Sequence, residues 1–203
     1  MKSQIIETEF LVLKKTAYSE TSLIVGGITP DYGQMRLMVK GARQLGKKKF
    51  PQIDLFRLIN LRCRNRNTDL HIPLAVDPLA DYRKLATNYR AYQTACWLAD
   101  FALHNIPQDV EHSRAFTAMK YAFERLCTAA DKKMANQQSL QAVTIGFCIV
   151  YLDESGLLPR YNDEQRFQQC RRLLDFGEGK CNAPSLSADA WNKIYDWVID
   201  KTI

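Results

Sequence analysis

The sequence lacks the long apolar segments that membrane proteins carry. No apolar run approaches the roughly 18–20 residues that span a bilayer, and the opening stretch MKSQIIETEFLVLKK places Glu7 and Glu9 where a signal peptide would be apolar. The 203 residues are 46% hydrophobic and 25% charged, which is ordinary for a soluble globular protein. We therefore expect a cytoplasmic protein with one large domain or two small ones.

The sequence also lacks a catalytic constellation. The only histidines, His71, His104 and His112, are far apart and have no metal-ligand spacing. The run from Gly41 to Lys47 fits the beginning of a phosphate-binding P-loop, but Lys48 stands where that motif needs Ser or Thr for Mg²⁺. We therefore expect no enzyme activity and no cofactor.

None of the six cysteines forms a C-x-x-C pair. Cys63, Cys96, Cys127 and Cys148 stand among apolar residues, which is typical of reduced, buried thiols in a cytosolic protein.

What the sequence does have is one concentrated basic block. Between residues 36 and 66 it carries ten Lys or Arg residues and one acid, Asp54, for a local charge of +9 against +6 for the whole protein. A localised positive field of this kind most often serves a polyanion, commonly a nucleic acid. The ten bases are Arg36, Lys40, Arg43, Lys47, Lys48, Lys49, Arg57, Arg62, Arg64 and Arg66.

The first 75 residues have the pattern of β-strands. Apolar or alternating runs at 10–16, 21–28, 33–40, 52–66 and 68–76 are separated by turns and by one long basic loop. In the fourth run Arg62, Arg64 and Arg66 alternate with apolar residues and would share the outer face, whereas Arg57 breaks the alternation and indicates a bulge or bend. Five such strands predict a small barrel, either an OB-fold or an SH3-like barrel.

The hydrophobic period changes to that of helices near Asp77-Pro78. Helical patterns cover 78–104, 108–130, 137–155 and 187–201, and the third is apolar enough to be the buried centre of this half. The sequence therefore predicts an α+β chain with a nucleic-acid-binding barrel at 1–77 and a helical domain at 78–203.

Three short motifs resemble the N-terminal signature of the bacterial RecO family of recombination mediators. They are Tyr18-Ser19-Glu20-Thr21, the turn Thr29-Pro30-Asp31-Tyr32-Gly33, and the loop Val39-Lys40-Gly41-Ala42-Arg43, of which the last is the most specific. The match is dense over residues 10–43 and rests on the order of elements elsewhere. For Glu20 a structural hydrogen bond is the simpler interpretation.

The resemblance implies an N-terminal OB-fold, a helical C-terminal domain and a role in DNA repair and recombination. It implies binding of single- and double-stranded DNA, annealing of complementary strands and assistance in loading RecA onto DNA coated by single-stranded DNA-binding protein. The implied partners are RecR and the acidic tail of single-stranded DNA-binding protein, with a nucleoid-associated location. The alternatives are a protein-interaction adaptor and an RNA-binding OB-fold protein.

Lys and Arg supply sequence-independent affinity through phosphate contacts, and a glycine amide can approach a phosphate closely. The predicted DNA-binding residues are Arg36, Lys40, Gly41, Arg43, Lys47, Lys48, Lys49, Arg62, Arg64 and Arg66. Tyr32, Phe50 and Phe56 are near enough in sequence to stack on bases, although core packing is the simpler role for both phenylalanines.

The helical half raises two further questions. Many members of the family carry a zinc site of two C-x-x-C pairs, but only Cys170 and Cys181 occupy the corresponding region at about 160–185, so we expect a metal-free loop there rather than a zinc site or a redox pair. The aromatic residues Tyr89, Tyr92, Trp97 and Phe101 form either core or a groove for the acidic tail. The bases available to rim such a groove are Arg83, Lys84, Arg90, Arg114, Lys120 and Arg125.

Overall fold

In the computed structural model, which describes residues 5–44, 50–64, 69–131, 135–159 and 163–202, a five-stranded antiparallel sheet is followed by helices. The predicted fold class is confirmed. The strands are β1 (Ile5–Ala17), β2 (Leu23–Thr29), β3 (Gly33–Val39), β4 (Arg57–Arg64) and β5 (Ile72–Asp81). After a 3-10 helix (Arg83–Thr87) come α1 (Tyr89–Asn105), α2 (Ser113–Asp131), α3 (Gln137–Glu154), α4 (Glu164–Gly177) and α5 (Ala188–Thr202).

The sheet closes into a barrel at His71. The hydrogen-bonded strand order is β3-β2-β1-β4-β5. His71, just before β5, forms a parallel bridge to β3: its N–H donates to the Arg36 carbonyl at 2.9 Å, and its carbonyl accepts from the Met38 N–H at 2.8 Å. An antiparallel sheet whose third and fifth strands meet in parallel is the five-stranded OB-fold, which decides between the two predicted barrels.

The barrel core follows the alternation that the sequence predicts. Met35, Leu37 and Val39 of β3 are buried, while Arg36 and Met38 between them are only half-buried. In β4, Arg62 and Arg64 are exposed on either side of buried Cys63. The core cluster consists of Ile6, Phe10, Val12, Val25, Met35, Leu37, Val39, Ile53, Ile59, Leu61, Cys63 and Val76.

The fourth strand is shorter than predicted. The alternating run from residue 52 becomes β4 only at Arg57, because Phe50 and Phe56 adopt positive φ angles of 52° and 56° that no strand allows. Phe56 is nevertheless bonded to the barrel, since its N–H donates to the Val12 carbonyl at 2.9 Å. The predicted bend near Arg57 is therefore present and is a turn in the backbone.

The last strand is longer than predicted, and the first helix begins later. Pairing with β4 continues to Asp81, and Pro78 is accommodated next to an irregularity in the register between Leu58 and Ile59. The helix expected from Pro78 begins only at Tyr89, after the 3-10 turn.

Two compact units divide the chain, Met1–Arg83 with Ala99–Ser113, and Lys84–Leu98 with Arg114–Ile203. The sequence predicted a boundary after residue 77. In the structure, residues 78–83 and 99–113 belong to the same compact unit as the strands. The segment after α1 is hydrogen-bonded to the β2–β3 turn: the Gln34 N–H donates to the Pro107 carbonyl at 3.0 Å, and the Asp109 N–H donates to the Tyr32 carbonyl at 2.9 Å.

In the second unit α3 is the central helix, as predicted. Its residues from Ala142 to Leu152 are all buried. Asn136 caps its first turn by accepting from the Ser139 N–H at 2.8 Å, and Gly156 follows its end with φ 71°.

The expectation of a loop at about 160–185 is wrong for its largest part, since α4 occupies Glu164–Gly177. The Asp163 side chain caps this helix by accepting from the Arg166 N–H at 2.8 Å, and Leu173 and Phe176 are buried one turn apart. The sequence signal for a helix was therefore present, as a cap followed by an apolar stripe.

Two neighbouring glycines of β2 provide a test of the barrel. A Cβ on Gly27 would lie 2.1 Å from the Leu11 carbonyl oxygen and 2.6 Å from the Phe10 ring, whereas a Cβ on Gly26 would meet nothing closer than 3.7 Å. We expect Gly27→Ala to lower the free energy of unfolding by about 1–3 kcal/mol because the β1 backbone must shift. Gly26→Ala is the matched control and should change it little. Urea unfolding followed by circular dichroism measures both, and equal stabilities would contradict the packing.

Candidate nucleic-acid interface

Two of the sequence motifs meet at one end of the barrel. Residues 18–22, here called the β1–β2 loop, connect the first two strands, and residues 40–43 follow β3. The Arg43 N–H donates to the Thr21 carbonyl at 3.0 Å, and the Arg43 guanidinium donates to the Ser19 carbonyl at 2.7 Å. Gly41 permits this approach by turning the chain with φ 74°. Arg43 therefore fixes the β1–β2 loop.

The third motif forms the β2–β3 turn. The Tyr32 N–H donates to the Thr29 hydroxyl at 3.0 Å, that hydroxyl donates to the Gly33 carbonyl at 3.2 Å, and Gly33 has a φ of 58°. The Asp31 carboxylate accepts from the Thr8 hydroxyl at 3.0 Å.

The register of the first three strands builds a continuous outer face. Lys14 of β1 is opposite Gly26 of β2, which is opposite Arg36 of β3. Because adjacent strands are about 4.8 Å apart, the Lys14 and Arg36 backbones are separated by about 10 Å, with no side chain between them at the glycine. The next outward row, two residues along each strand, is Thr16, Ile24 and Met38.

A third row completes this face at the β1–β2 loop. The Tyr18 N–H donates to the Ser22 carbonyl at 3.1 Å, and Lys40 comes directly after Val39, which is paired with Leu23. We call the surface formed by these three rows the outer β1–β3 face. Its members are Lys14, Thr16, Tyr18, Ile24, Gly26, Arg36, Met38 and Lys40.

Helix α1 borders this face at the opposite end. The Gln34 side-chain amide donates to the Leu103 carbonyl at 3.1 Å, and the Leu103 side chain lies next to Gly26. The face is thus limited by a helix on one side and is open at the β1–β2 loop.

The bases around the barrel fall into two classes. Arg57 lies 3.2 Å from Asp81, Arg62 lies 3.7 Å from Glu7, and Lys15 bonds Asp54. A second class has no carboxylate within ion-pair distance in the described ranges, and it consists of Lys14, Arg36, Lys40 and Arg64. Arg43 also has no carboxylate partner in the described ranges, but its guanidinium is bonded to the Ser19 carbonyl. The charges of the second class are therefore the least neutralised around the described barrel.

Arg64 lies across the barrel closure from β3. Arg64 is opposite Ile72 at the start of β5, and the preceding His71 is bonded to β3 on either side of Leu37. In this parallel register Ile72 lies opposite Met38, so Arg64 aligns with Met38, and Arg36 is the neighbouring outward residue of β3. Burial lowers the pKa of His71, which favours its neutral form.

The predicted arginine track on β4 begins beside an acidic row. Arg62 and Arg64 share the outer face as expected, but the row below Arg62 contains Glu9, Asn60 and Asp77. Both this row and the Arg62–Glu7 pair reduce the positive potential there. Lys47, Lys48, Lys49 and Arg66 lie outside the described residues, so their part in the interface stays a prediction.

Of the aromatic candidates, none that the sequence singled out is fully available. Phe56 is buried, and Tyr32 and Phe50 are half-buried against the core cluster. Tyr18, which was noted only as part of a motif, is 59% exposed. Its position as the first residue of the β1–β2 loop, directly after an amphipathic strand, was the signal that could have identified it.

Most bases of the helical half are held by internal partners. Arg114 contacts Asp153 and Glu178, each at 2.7 Å, Lys84 is bonded to Asp131 at 2.7 Å, and Arg125 stacks 4.1 Å from the centre of the Phe176 ring. Arg83 forms an ion pair with Asp81, and Lys120 lies over the Phe116 ring.

The helical unit has a mainly polar cavity of about 350 Å³. Among the six bases predicted to rim a groove, Arg90 is the one that lines it, and Leu140 is its one aliphatic residue. The aromatic cluster divides, since Tyr89 is 77% exposed whereas Phe101 is buried. The remaining lining residues are Gln93, Thr94, Gln137, Gln141, Thr144 and Tyr195.

The two cysteines of the 160–185 region do not assemble a metal centre with other ligands in the described part of the chain, where no group of three or more potential ligands occurs. Burial raises the pKa of the Cys170 thiol to about 11, so this group stays protonated at neutral pH. Within the same described ranges, no helix combines the length and apolarity needed to cross a membrane.

Comparison with protein families identifies the barrel. Residues 1–74 match the family model described as "Recombination protein O N terminal". This domain belongs to the RecO family. The match covers β1 to β4 and the start of β5, and it confirms the assignment made from the three motifs. A search of curated proteins finds no match. Membership of the RecO domain family indicates a role in DNA repair and recombination.

The contact between Arg43 and the β1–β2 loop can be tested directly. We expect Arg43→Ala to increase amide hydrogen exchange in residues 18–22, because the guanidinium bond to the Ser19 carbonyl is lost. Arg57→Ala is a control that removes a barrel arginine bonded elsewhere and should leave exchange in this loop unchanged. Unchanged exchange in Arg43→Ala would show that the loop does not depend on this contact.

Proposed function

We propose that the chain is a DNA repair and recombination mediator whose barrel binds DNA through the outer β1–β3 face and Arg64. The observation that carries the proposal is the group of unpaired bases, Lys14, Arg36, Lys40 and Arg64, around an OB-fold of the RecO family. Binding to phosphates releases counterions, and this term supplies most of the affinity that does not depend on sequence.

The face suits a nucleic-acid backbone in shape as well as in charge. Lys14 and Arg36 are on the two sides of Gly26, and both can reach a phosphate that passes beside the Leu103 side chain at that position. Ile24 and Met38 in the next row are half-buried and offer an apolar surface to sugars and bases. The Lys47–Lys49 segment follows Lys40 in the chain and is proposed to extend the contact.

The finer activities of the proposal rest on the family. We propose that the protein binds both single- and double-stranded DNA, anneals complementary strands, and helps to load RecA onto strands coated by single-stranded DNA-binding protein. RecR and the acidic tail of single-stranded DNA-binding protein are the proposed partners, and the nucleoid is the proposed location. In this proposal the protein is a mediator and not an enzyme.

The electrostatic part of the proposal predicts a change in salt dependence. For single-stranded DNA, log K falls with log salt at a slope of about −0.7 per neutralised phosphate. Replacing Arg36, Lys40 and Arg64 together with Ala should therefore make the slope shallower by about 2. Fluorescence anisotropy with a labelled oligonucleotide at several salt concentrations measures this.

The matched control removes three bases that already have carboxylate partners, Lys84, Lys193 and Lys201. It changes the net charge by the same amount and should leave the slope nearly unchanged. Equal slopes for wild type and the Arg36, Lys40 and Arg64 variant would refute the interface. Competition between DNA and RNA of one sequence in the same assay tests the RNA-binding alternative.

A strand-annealing assay tests the mediator activity itself. Complementary oligonucleotides, bare or coated with single-stranded DNA-binding protein, should anneal faster with the wild-type protein than with the Arg36, Lys40 and Arg64 variant. Binding without any acceleration of annealing would show that the protein binds DNA but does not anneal strands. Absence of binding at low salt, with capture of the acidic tail peptide unaffected by nuclease, would favour the adaptor function.

A further inference from the structure

Tyr18 is a large side chain that the fold leaves uncovered at the edge of the basic surface. It follows the last residue of β1, and it is 59% exposed. It continues the outward alternation of Lys14 and Thr16, so it occupies one corner of the outer β1–β3 face. Arg36 and Lys40 belong to the opposite edge of the same face.

The backbone that carries Tyr18 is held in place from two directions. Its own N–H donates to the Ser22 carbonyl, which closes the β1–β2 loop. Arg43 then binds the carbonyls of Ser19 and Thr21, so the loop is fixed to the segment after β3. A ring on an anchored backbone loses less conformational freedom when a ligand stacks on it than a ring on an unanchored loop would lose.

A singly exposed tyrosine is common on protein surfaces and needs no ligand to explain it. Here three further features coincide with it: the unpaired bases on the same face, the apolar pair Ile24 and Met38 beside it, and the loop anchored by Arg43. Positively charged grooves with exposed aromatic rings are how OB-folds hold single strands, because every base has a face that can stack.

We propose that Tyr18 is a base-stacking residue that gives the barrel a preference for single-stranded over duplex DNA. The inference rests on the proposed function, since it presumes that DNA lies on the outer β1–β3 face. Nucleobases within a duplex are stacked on one another and are not available to the ring. The phosphates of single strands and of duplexes can both reach the lysines and arginines of the protein. The lysines and arginines then supply affinity for either form, and Tyr18 supplies the difference between them.

The test compares Tyr18→Ala, Tyr18→Phe and Tyr89→Ala in the full-length protein. Tyr89 is also highly exposed, at 77%, and lies at the beginning of α1. Anisotropy with a labelled oligothymidine and with a labelled duplex of the same length gives the two affinities and their salt slopes. We expect Tyr18→Ala to weaken single-strand binding about 5- to 150-fold with an unchanged salt slope. Its duplex affinity should be unchanged, and Tyr18→Phe and Tyr89→Ala should resemble wild type.

The outcomes separate this inference from the proposed function. If Tyr18→Ala binds single strands as wild type does, while the Arg36, Lys40 and Arg64 variant loses affinity, stacking is refuted and the DNA interface stands. Equal losses for single strands and duplex, or a changed salt slope, would also refute it, because Tyr18 would then act through the loop or the charges. If wild type binds no DNA at low salt, both proposals fail.

Discussion

The barrel depends on one short stretch of backbone, the parallel bridge that His71 forms with β3. Without the bonds from Arg36 and Met38 to His71, the five strands would be an open sheet with two free edges. With them, the start of β5 lies between β3 and β4. That placement brings Arg64 to the side of β5 opposite β3, in the row of Met38.

The same folding decides which charges are available to a ligand. Arg57 and Arg62 are as basic as Arg36, yet each meets a carboxylate that the strand pairing places opposite or beside it. A surface ion pair of this kind contributes little stability, about 0–1 kcal/mol. Its main consequence is therefore to reduce the positive potential at β4, so the basic surface of the described barrel is concentrated on β1, β3 and the end of β4.

Much of this could be predicted from the sequence, and the failures have physical reasons. The alternation of Met35, Leu37 and Val39 gave the correct face of β3, because a period of two is a local property. The pairing of Arg62 with Glu7 could not be foreseen, because it depends on the register between β1 and β4. The role of Arg43 depends on its contact with Ser19, 24 residues away in the sequence, which no local pattern records.

The central claim is that DNA lies on the outer β1–β3 face, and cross-linking tests it most directly. Ultraviolet cross-linking of the full-length protein to oligothymidine, followed by mass spectrometry of the peptides, identifies the residues that touch the bases. The account predicts cross-links within residues 14–24 and 36–43. Cross-links found only in residues 84–98 and 114–203 would contradict it, because the barrel would then not be the surface that holds the strand.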